Sequence, residues 1–308
     1  MIKDFKELIE RASKLDRVTI AVAGAQDPEV IETISMAEKL GLVNPILVGN
    51  KEEIERIANG IDLSNYRVIH GETPEESSSE AVRLVRSGEA KILMKGFVNT
   101  SVYLRAILDR ANGLRTGRLL SLLAAYEIPQ YHKLLYCTDS GVNPSPDLEQ
   151  KRDILQNSLM ALQGFGMDMP KVAALAANEN VDQKIQSTVD ADALVKMARR
   201  NEVERCIIEG PMAFDVAFDP QAAAHKGIES NITGDVDLLL FPNMETGNAL
   251  GKSWLLWNNA KWAGIILGAS APVVLGSRSD TAEIKLNSIA LACLASKIKE
   301  GGTENELC

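Results

Sequence analysis

The chain has 308 residues, with 33 Lys+Arg against 42 Asp+Glu and a formal charge of −9. Such a chain lacks the basic footprint of a general nucleic-acid binder, and 45% apolar with 24% charged residues is globular composition rather than disorder. No stretch reaches the roughly 18 apolar residues of a membrane span, and the nearest approach, 253–276, is broken by Asn258, Asn259 and Lys261.

The opening run MIKDFKELIERASKLD has no apolar h-region, so no signal peptide is expected. Cys137, Cys206, Cys293 and Cys308 show no C-x-x-C spacing, which points to reduced core thiols and the cytoplasm. His70, His132 and His225 have no ligand spacing, so no metal is expected. The length sits where one core usually splits into two.

In chain order, residues 2–14 carry apolar positions at helical spacing. VTIAVAG (18–24) reads as a buried strand, and 28–41 as a helix with proline in its first turn and glycine at its end. NPILVG is a strand, KEEIERIA a short helix, YRVIHG a strand, 74–88 a helix, AKILMKG a strand and SVYLRAILDRA a helix. LLYCTD (134–139) opens into the turn-rich loop SGVNPSPD, and 147–166 is a helix. KVAALAA, RCIIEG, VDLLLFPN, AGIILG and APVVLG read as strands, with a helix over about 189–200. The final helix, containing Ile284, Ile289, Leu291 and Leu294, reads as long and amphipathic. Strands alternating with helices imply an α/β fold with parallel pairing, in two blocks joined near 140–146. Ligands in open parallel sheets sit beyond strand C-termini, which directs attention to the loops there.

KGFVNTS (95–101) precedes a helix, and its lysine, glycine and hydroxyls suit an anion at a helix N-terminus; an ordinary βα turn with a capping Thr or Ser is the plain alternative. ETGNALGKS (245–253) imitates a Walker A loop but is one residue short between Gly247 and Gly251, so it is rejected as a nucleotide site. Asn248 and Lys252 remain polar candidates there. In EGPMAFDVAFD, Asp215 and Asp219 are either site groups or turn caps. In LGSRSDTAEI, Ser277 and Arg278 end a strand; an arginine fork suits phosphate or a carbonyl oxygen, whereas Asp280 and Glu283 also match a capping box. Trp254, Trp257 and Trp262 cluster in one helix-like segment and suit core packing or a subunit interface.

Taken in order, these loops resemble the phosphate acyltransferase family: phosphate acetyltransferases and, more closely, phosphate butyryltransferases. The resemblance is carried by Gly210 and Asp215, Lys226, Phe241 and Pro242, Gly247, Asn248 and Lys252, then Pro272, Ser277 and Arg278, with KGFVNTS and GLRTGRLLS similar to the butyryl branch. It implies reversible transfer of a short acyl group between CoA and inorganic phosphate, by direct attack in a ternary complex. It implies two α/β domains with parallel or mixed sheets and flanking helices, similar to isocitrate and isopropylmalate dehydrogenases, and an active site in the interdomain cleft. Residues 1–135 and 270–308 would form a discontinuous first domain and 136–269 the second.

By the same resemblance, Arg278 holds phosphate or the carbonyl oxygen, and Ser277 stabilises the oxyanion or the leaving sulfur. The base that ionises the CoA thiol is Glu283 or Asp280, because the spacing after Arg278 departs from the acetyl enzymes by one residue. Lys95, Gly96, Thr100, Asp215, Gly247, Asn248 and Lys252 are the substrate-binding expectations. Acyl-CoA and phosphate are the partners, no separate cofactor is expected, and a homodimer or larger homo-oligomer is implied. The alternatives are a phosphate acetyltransferase, a dehydrogenase on the related fold (VAGAQDPEV lacks G-x-G-x-x-G), a Cys137 acyl-enzyme, and a non-catalytic CoA-binding protein.

Overall fold

Helix starts are written locally. Asp27 and Thr73 accept from the backbone N–H of Val30 and Glu76, with proline in the first turn behind each, so α2 (Pro28–Lys39) and α4 (Pro74–Arg86) begin where the sequence places them. The computed structural model describes residues 1–58, 60–276 and 280–297. Its remaining elements, in order, are α1 (Phe5–Ser13), β1 (Val18–Ala23), β2 (Val43–Gly49), α3 (Lys51–Ile57), β3 (Arg67–His70), β4 (Ile92–Lys95) and α5 (Thr100–Ile107). There follow β5 (Ser121–Glu127), β6 (Leu135–Thr138), α6 (Leu148–Gly164), β7 (Lys171–Leu175), α7 (Gln186–Arg199), β8 (Ile207–Met212), α8 (Phe214–Phe218) and α9 (Pro220–His225). The chain continues through β9 (Leu238–Leu240), α10 (Met244–Trp257), β10 (Lys261–Leu267), β11 (Val273–Val274) and α11 (Ala282–Ala295).

All the strands named join one mixed sheet in the order β3-β2-β1-β4-β11-β10-β5-β6-β9-β7-β8. The two blocks expected from the sequence therefore share a single sheet. β5, which the sequence reading passed over, pairs antiparallel with both β10 and β6 at its centre. β10 is also antiparallel to β11, which returns to pair with β4. On one side of this seam β1 to β4 and β11 run parallel; on the other β6, β7, β8 and β9 run parallel in the opposite sense. Strand C-termini of the two halves thus open onto opposite edges of the sheet.

Period-2 alternation distributes side chains between the two faces. Ile20, Val22, Met94, Leu123, Ala125, Ile265, Tyr136 and Leu238 enter one continuous core, covered by α1, α2, α6, α7 and α11. The alternate residues form two separate cores. One gathers Ala21, Leu93, Tyr103 and Ile266 under α4 and α5, and the other gathers Ala124, Cys137, Leu239 and Trp254 beneath α10. On β5 the division falls between Leu122 and Ala124, and on β10 between Ile266 and Trp262. A face with two cores leaves a cleft between them over the sheet's centre.

α11 departs from expectation. Every residue from Lys285 to Ala295 is buried, because the helix packs against α1, α2, α6, β10 and β11. Trp262 lies on β10 rather than in the helix that carries the other two tryptophans. Trp254 is core, edge-on to Tyr126 at 5.1 Å, and Trp257 is exposed. Among the described residues no helix is long and apolar enough to cross a membrane.

Candidate active site

A cavity of about 700 Å³ occupies the cleft. Its wall on the α5 side is apolar, built from Leu104, Ile107, Leu108 and Leu114, and its floor carries Leu120 and Ile266. Thr100 and Leu275 reach it at the edge where β4 and β11 end; Arg115, Arg118, Gly268 and Arg152 reach it at the opposite edge. Gly141, Val142 and Asn143, from the loop after β6, close a further side. Apolar walls with a few convergent polar groups are the usual character of a small-molecule site.

Asp139 fixes that loop. Its carboxylate is 3% exposed and accepts from the backbone N–H of Gly141 (2.9 Å), Val142 (3.0 Å) and Asn143 (3.2 Å), and from Asn143 Nδ2 (2.5 Å). Asn143 Nδ2 also donates to Leu120 O at 2.8 Å, which ties the loop to the cavity floor. Desolvation raises the Asp139 pKa, and the donated hydrogen bonds oppose that rise. Neither Asp139 nor the three arginines was singled out by sequence reasoning. The signals present were the turn-rich SGVNPSPD run and the stretch GLRTGRLLS.

The expected site residues fall into groups. Ser277 and Arg278 lie outside the described residues. The residues on either side are described. Asp280, 8% exposed, lies with Oδ2 3.9 Å from where a Cβ on Gly276 would stand. Lys285 Nζ donates to Asp280 O (2.8 Å) and to the Glu29 carboxylate (2.7 Å), tying the approach to α11 to the start of α2. The capping box expected from Asp280 and Glu283 is not formed. Thr281 caps α11 through Ile284 N, which puts Glu283 at the helix's second position. The side chain of Glu283 is 58% exposed and pairs with Lys261 at 2.7 Å.

Lys95 ends β4 with its ammonium turned into its own loop, donating to Gly96 O (3.1 Å) and Val98 O (3.2 Å). Gly96 is demanded by packing: a Cβ there would stand 2.2 Å from Gly24 O. Thr100 is exposed, at the first turn of α5, and Asn99 at the cap position makes no side-chain bond. The capping hydroxyl of the plain βα-turn reading is thus absent.

The other candidates stand beyond the seam. Asn243 caps α10, so ETGNALGKS is helix rather than a phosphate loop. Gly247 lies where a Cβ would be 2.4 Å from the Phe241 ring and 2.8 Å from Ser140 Cβ. Asn248 approaches Ser140 O at 3.5 Å, and Lys252, exposed, follows one turn later on the same helix face. Lys252 therefore sits mid-helix rather than at a strand end. Asp215 is exposed on α8 and pairs with Lys226 at 3.0 Å; that lysine's hydrogen bond holds its carboxyl below the ordinary value. Asp219 is the cap of α9, accepting from Gln221 N. Asp215 and Lys226 do not line the cavity.

Cys137 is fully buried, and burial pushes its thiol well above the ordinary range, the reverse of what a nucleophilic thiolate requires. Burial also pushes Cys206 up to about 11 and Cys293 up to about 12.

A family model described as "Phosphate acetyl/butaryl transferase" matches residues 69–293. The chain belongs to this family. A phosphate butyryltransferase of Clostridium acetobutylicum is 41% identical over 296 residues, covering 96% of this chain and 98% of the relative. The crystal structure of a branched-chain phosphotransacylase from Enterococcus faecalis superposes with a TM-score of 0.81 at 32% identity, covering 92% of this chain and all of that one. A 4-hydroxythreonine-4-phosphate dehydrogenase of Klebsiella pneumoniae, at 14% identity and a TM-score of 0.56, covers 91% of this chain and 99% of its own. That last likeness concerns the fold alone, and it agrees with the dehydrogenase-like architecture expected from the sequence. The segment 95–146, which supplies much of the cavity wall, falls inside the family match.

Proposed function

We propose that this chain transfers a short acyl group, butyryl or similar, reversibly between CoA and inorganic phosphate, giving an acyl phosphate. The observation that carries the reading is near-full-length similarity to a phosphate butyryltransferase, joined to an apolar cleft bordered by the loops the chemistry needs. The cleft aligns phosphate with the thioester carbonyl, and positioning alone lowers the barrier by several kcal/mol. Arg278 binds phosphate or the carbonyl oxygen, and Ser277 steadies the tetrahedral oxyanion. Thr100, at the open N-terminus of α5, is a further phosphate donor.

Of the two carboxylates, the geometry favours Asp280 as the base, since it is buried beside Gly276 whereas Glu283 is exposed and engaged by Lys261. Lys95, Gly96 and Gly247 hold their loops, and Asn248 and Lys252 would reach substrate from α10, outside the cavity lining. Asp215 with Lys226 serves the second lobe. That lobe spans 136–269, with 1–135 and 270–308 forming the first. CoA and phosphate are substrates and no additional cofactor takes part. The reading carries a cytoplasmic, homo-oligomeric enzyme.

The experiment is to incubate the protein with phosphate and butyryl-CoA or acetyl-CoA in turn and to trap acyl phosphate as the hydroxamate. Butyryl hydroxamate in excess of acetyl hydroxamate supports the assignment. The reverse preference makes the chain an acetyltransferase, and CoA binding without either product makes it a binding protein.

A further inference from the structure

Lys285 is the one charged side chain in the buried run of α11 from Lys285 to Ala295, and two physical effects oppose it there. An ammonium on a residue only 6% exposed has lost most of its water. It also stands at the fourth position of the helix, near the positive end of the helix dipole, where a cation is disfavoured. Leu286, Ile289 and Leu291 serve the packing of the same helix without charge, so packing alone does not call for lysine.

The ammonium is compensated at two places that differ in exposure. Its bond to Asp280 O (2.8 Å) is buried. Its bond to Glu29 Oε2 (2.7 Å) reaches a side chain that is 61% exposed, so water screens that pair. The stem runs beside Gly276. Its Cγ and Cε stand 3.8 Å and 3.9 Å from the place of a Cβ on that glycine, and Asp280 Oδ2 stands 3.9 Å from the same place. One side chain therefore lies along the residue that follows β11 and grips the carbonyl of the residue that leads into α11. A held carbonyl fixes the plane of the Asp280–Thr281 peptide, and with it the direction in which the Asp280 side chain leaves the backbone.

We propose that Lys285 is a positioning residue for the reaction: its buried bond to the Asp280 carbonyl, with its stem along Gly276, aims the Asp280 carboxylate that serves as base. This rests on the acyltransferase reading above and on Asp280 as its base. It also accounts for a buried cation at the wrong end of a helix dipole, a placement that packing and the screened pair with Glu29 leave unexplained.

The test follows butyryl phosphate plus CoA, the direction in which the base ionises the thiol. In Lys285→Met, kcat falls about 10- to 100-fold, the scale of a displaced catalytic group, while KM for both substrates stays within about twofold. Its urea unfolding midpoint stays near that of wild type, because an apolar side chain of similar length replaces a buried charge and Glu29 turns to water. Lys285→Gln gives the same split, which guards against one variant failing to fold. Glu29→Gln keeps kcat within about twofold, since the pair it removes is screened. In an Asp280→Asn background, Lys285→Met adds no further loss, as expected of a residue that acts through Asp280. Unchanged kcat, a rise in KM in place of the fall in kcat, independent losses with Asp280→Asn, or equal damage from Glu29→Gln overturns the assignment. If wild type shows no turnover, the acyltransferase reading fails by itself and amide exchange decides the positioning. Ile284 N donates to Thr281 Oγ1 at 3.3 Å, directly after the held carbonyl. Faster exchange at Ile284 in Lys285→Met, with global stability kept, upholds the hold on Asp280, and wild-type exchange there overturns it.

Discussion

Replacing Asp139 by alanine removes a buried carboxylate that accepts four hydrogen bonds from the 141–143 segment. Bonds to a charged group contribute about 1.5–3 kcal/mol each, so a simple sum is ~6–12 kcal/mol. That sum is an upper bound, because Gly141 is exposed and Val142 and Asn143 are half-exposed, so their N–H groups reach water once the loop opens. Deleting the carboxylate also removes the cost of desolvating it in the folded state, which offsets part of the loss. The expected destabilisation is about 2–4 kcal/mol. Asp139→Asn is milder, ~1–2 kcal/mol, since one oxygen still serves Gly141 and Val142 while an amide N–H₂ confronts the Asn143 donors. Urea unfolding gives the stability, and amide exchange at Val142 and Asn143 gives the loop opening. Because the loop walls the cavity, KM for acyl-CoA rises in both variants. Wild-type unfolding and wild-type exchange in Asp139→Ala would show that the loop is held by something else.

Three further outcomes follow from other contacts. Gly247→Ala forces a methyl against Phe241 and Ser140, so stability drops by about 1–3 kcal/mol; an unchanged unfolding curve with a raised KM would instead make Gly247 a ligand contact. Cys137 is buried with its thiol pushed well up, so native protein treated with iodoacetamide at neutral pH retains activity, and Cys137→Ser remains active; inactivation at Cys137 would revive the acyl-enzyme alternative. Burial would raise the Asp235 pKa, but hydrogen bonds from Lys133, Lys171 and His132 outweigh it and hold the carboxyl well below 3.8. A depressed folded-state pKa gives stability that is present above the unfolded value and lost as pH falls through and below ~4. Asp235→Asn should therefore flatten the acid limb of the stability profile below that pH, and an unaltered limb would contradict the network's role.

The first half of the fold was legible because its elements carry their own punctuation: Pro28 and Pro74 behind capping residues, and glycines after β1, α2 and α4. β5 was not. SLLAAYE follows LRTGRLL with no turn residue between Leu119 and Ser121 to mark its start, and its partner β10 lies far along the chain. The three successive antiparallel pairings β11–β10, β10–β5 and β5–β6 reverse the second half of the sheet, and no local periodicity encodes them. As a result, loops that all follow strands were expected to converge, and instead Lys95, Thr100 and Asp280 lie at one edge while Asp215 and Gly247 belong to the other half. α11 misled for a related reason, since a helix buried on every side needs no polar face. The arginines of the cavity escaped notice because Arg152 comes from α6 and the other two from the approach to β5, and only the seam brings them together.

The central claim concerns phosphate as the acyl acceptor. Free thiol release from butyryl-CoA should be followed with and without inorganic phosphate. The account predicts release that requires phosphate and saturates with it, with butyryl phosphate formed in equal amount. Release at the same rate without phosphate, or no release from any short acyl-CoA, would contradict it.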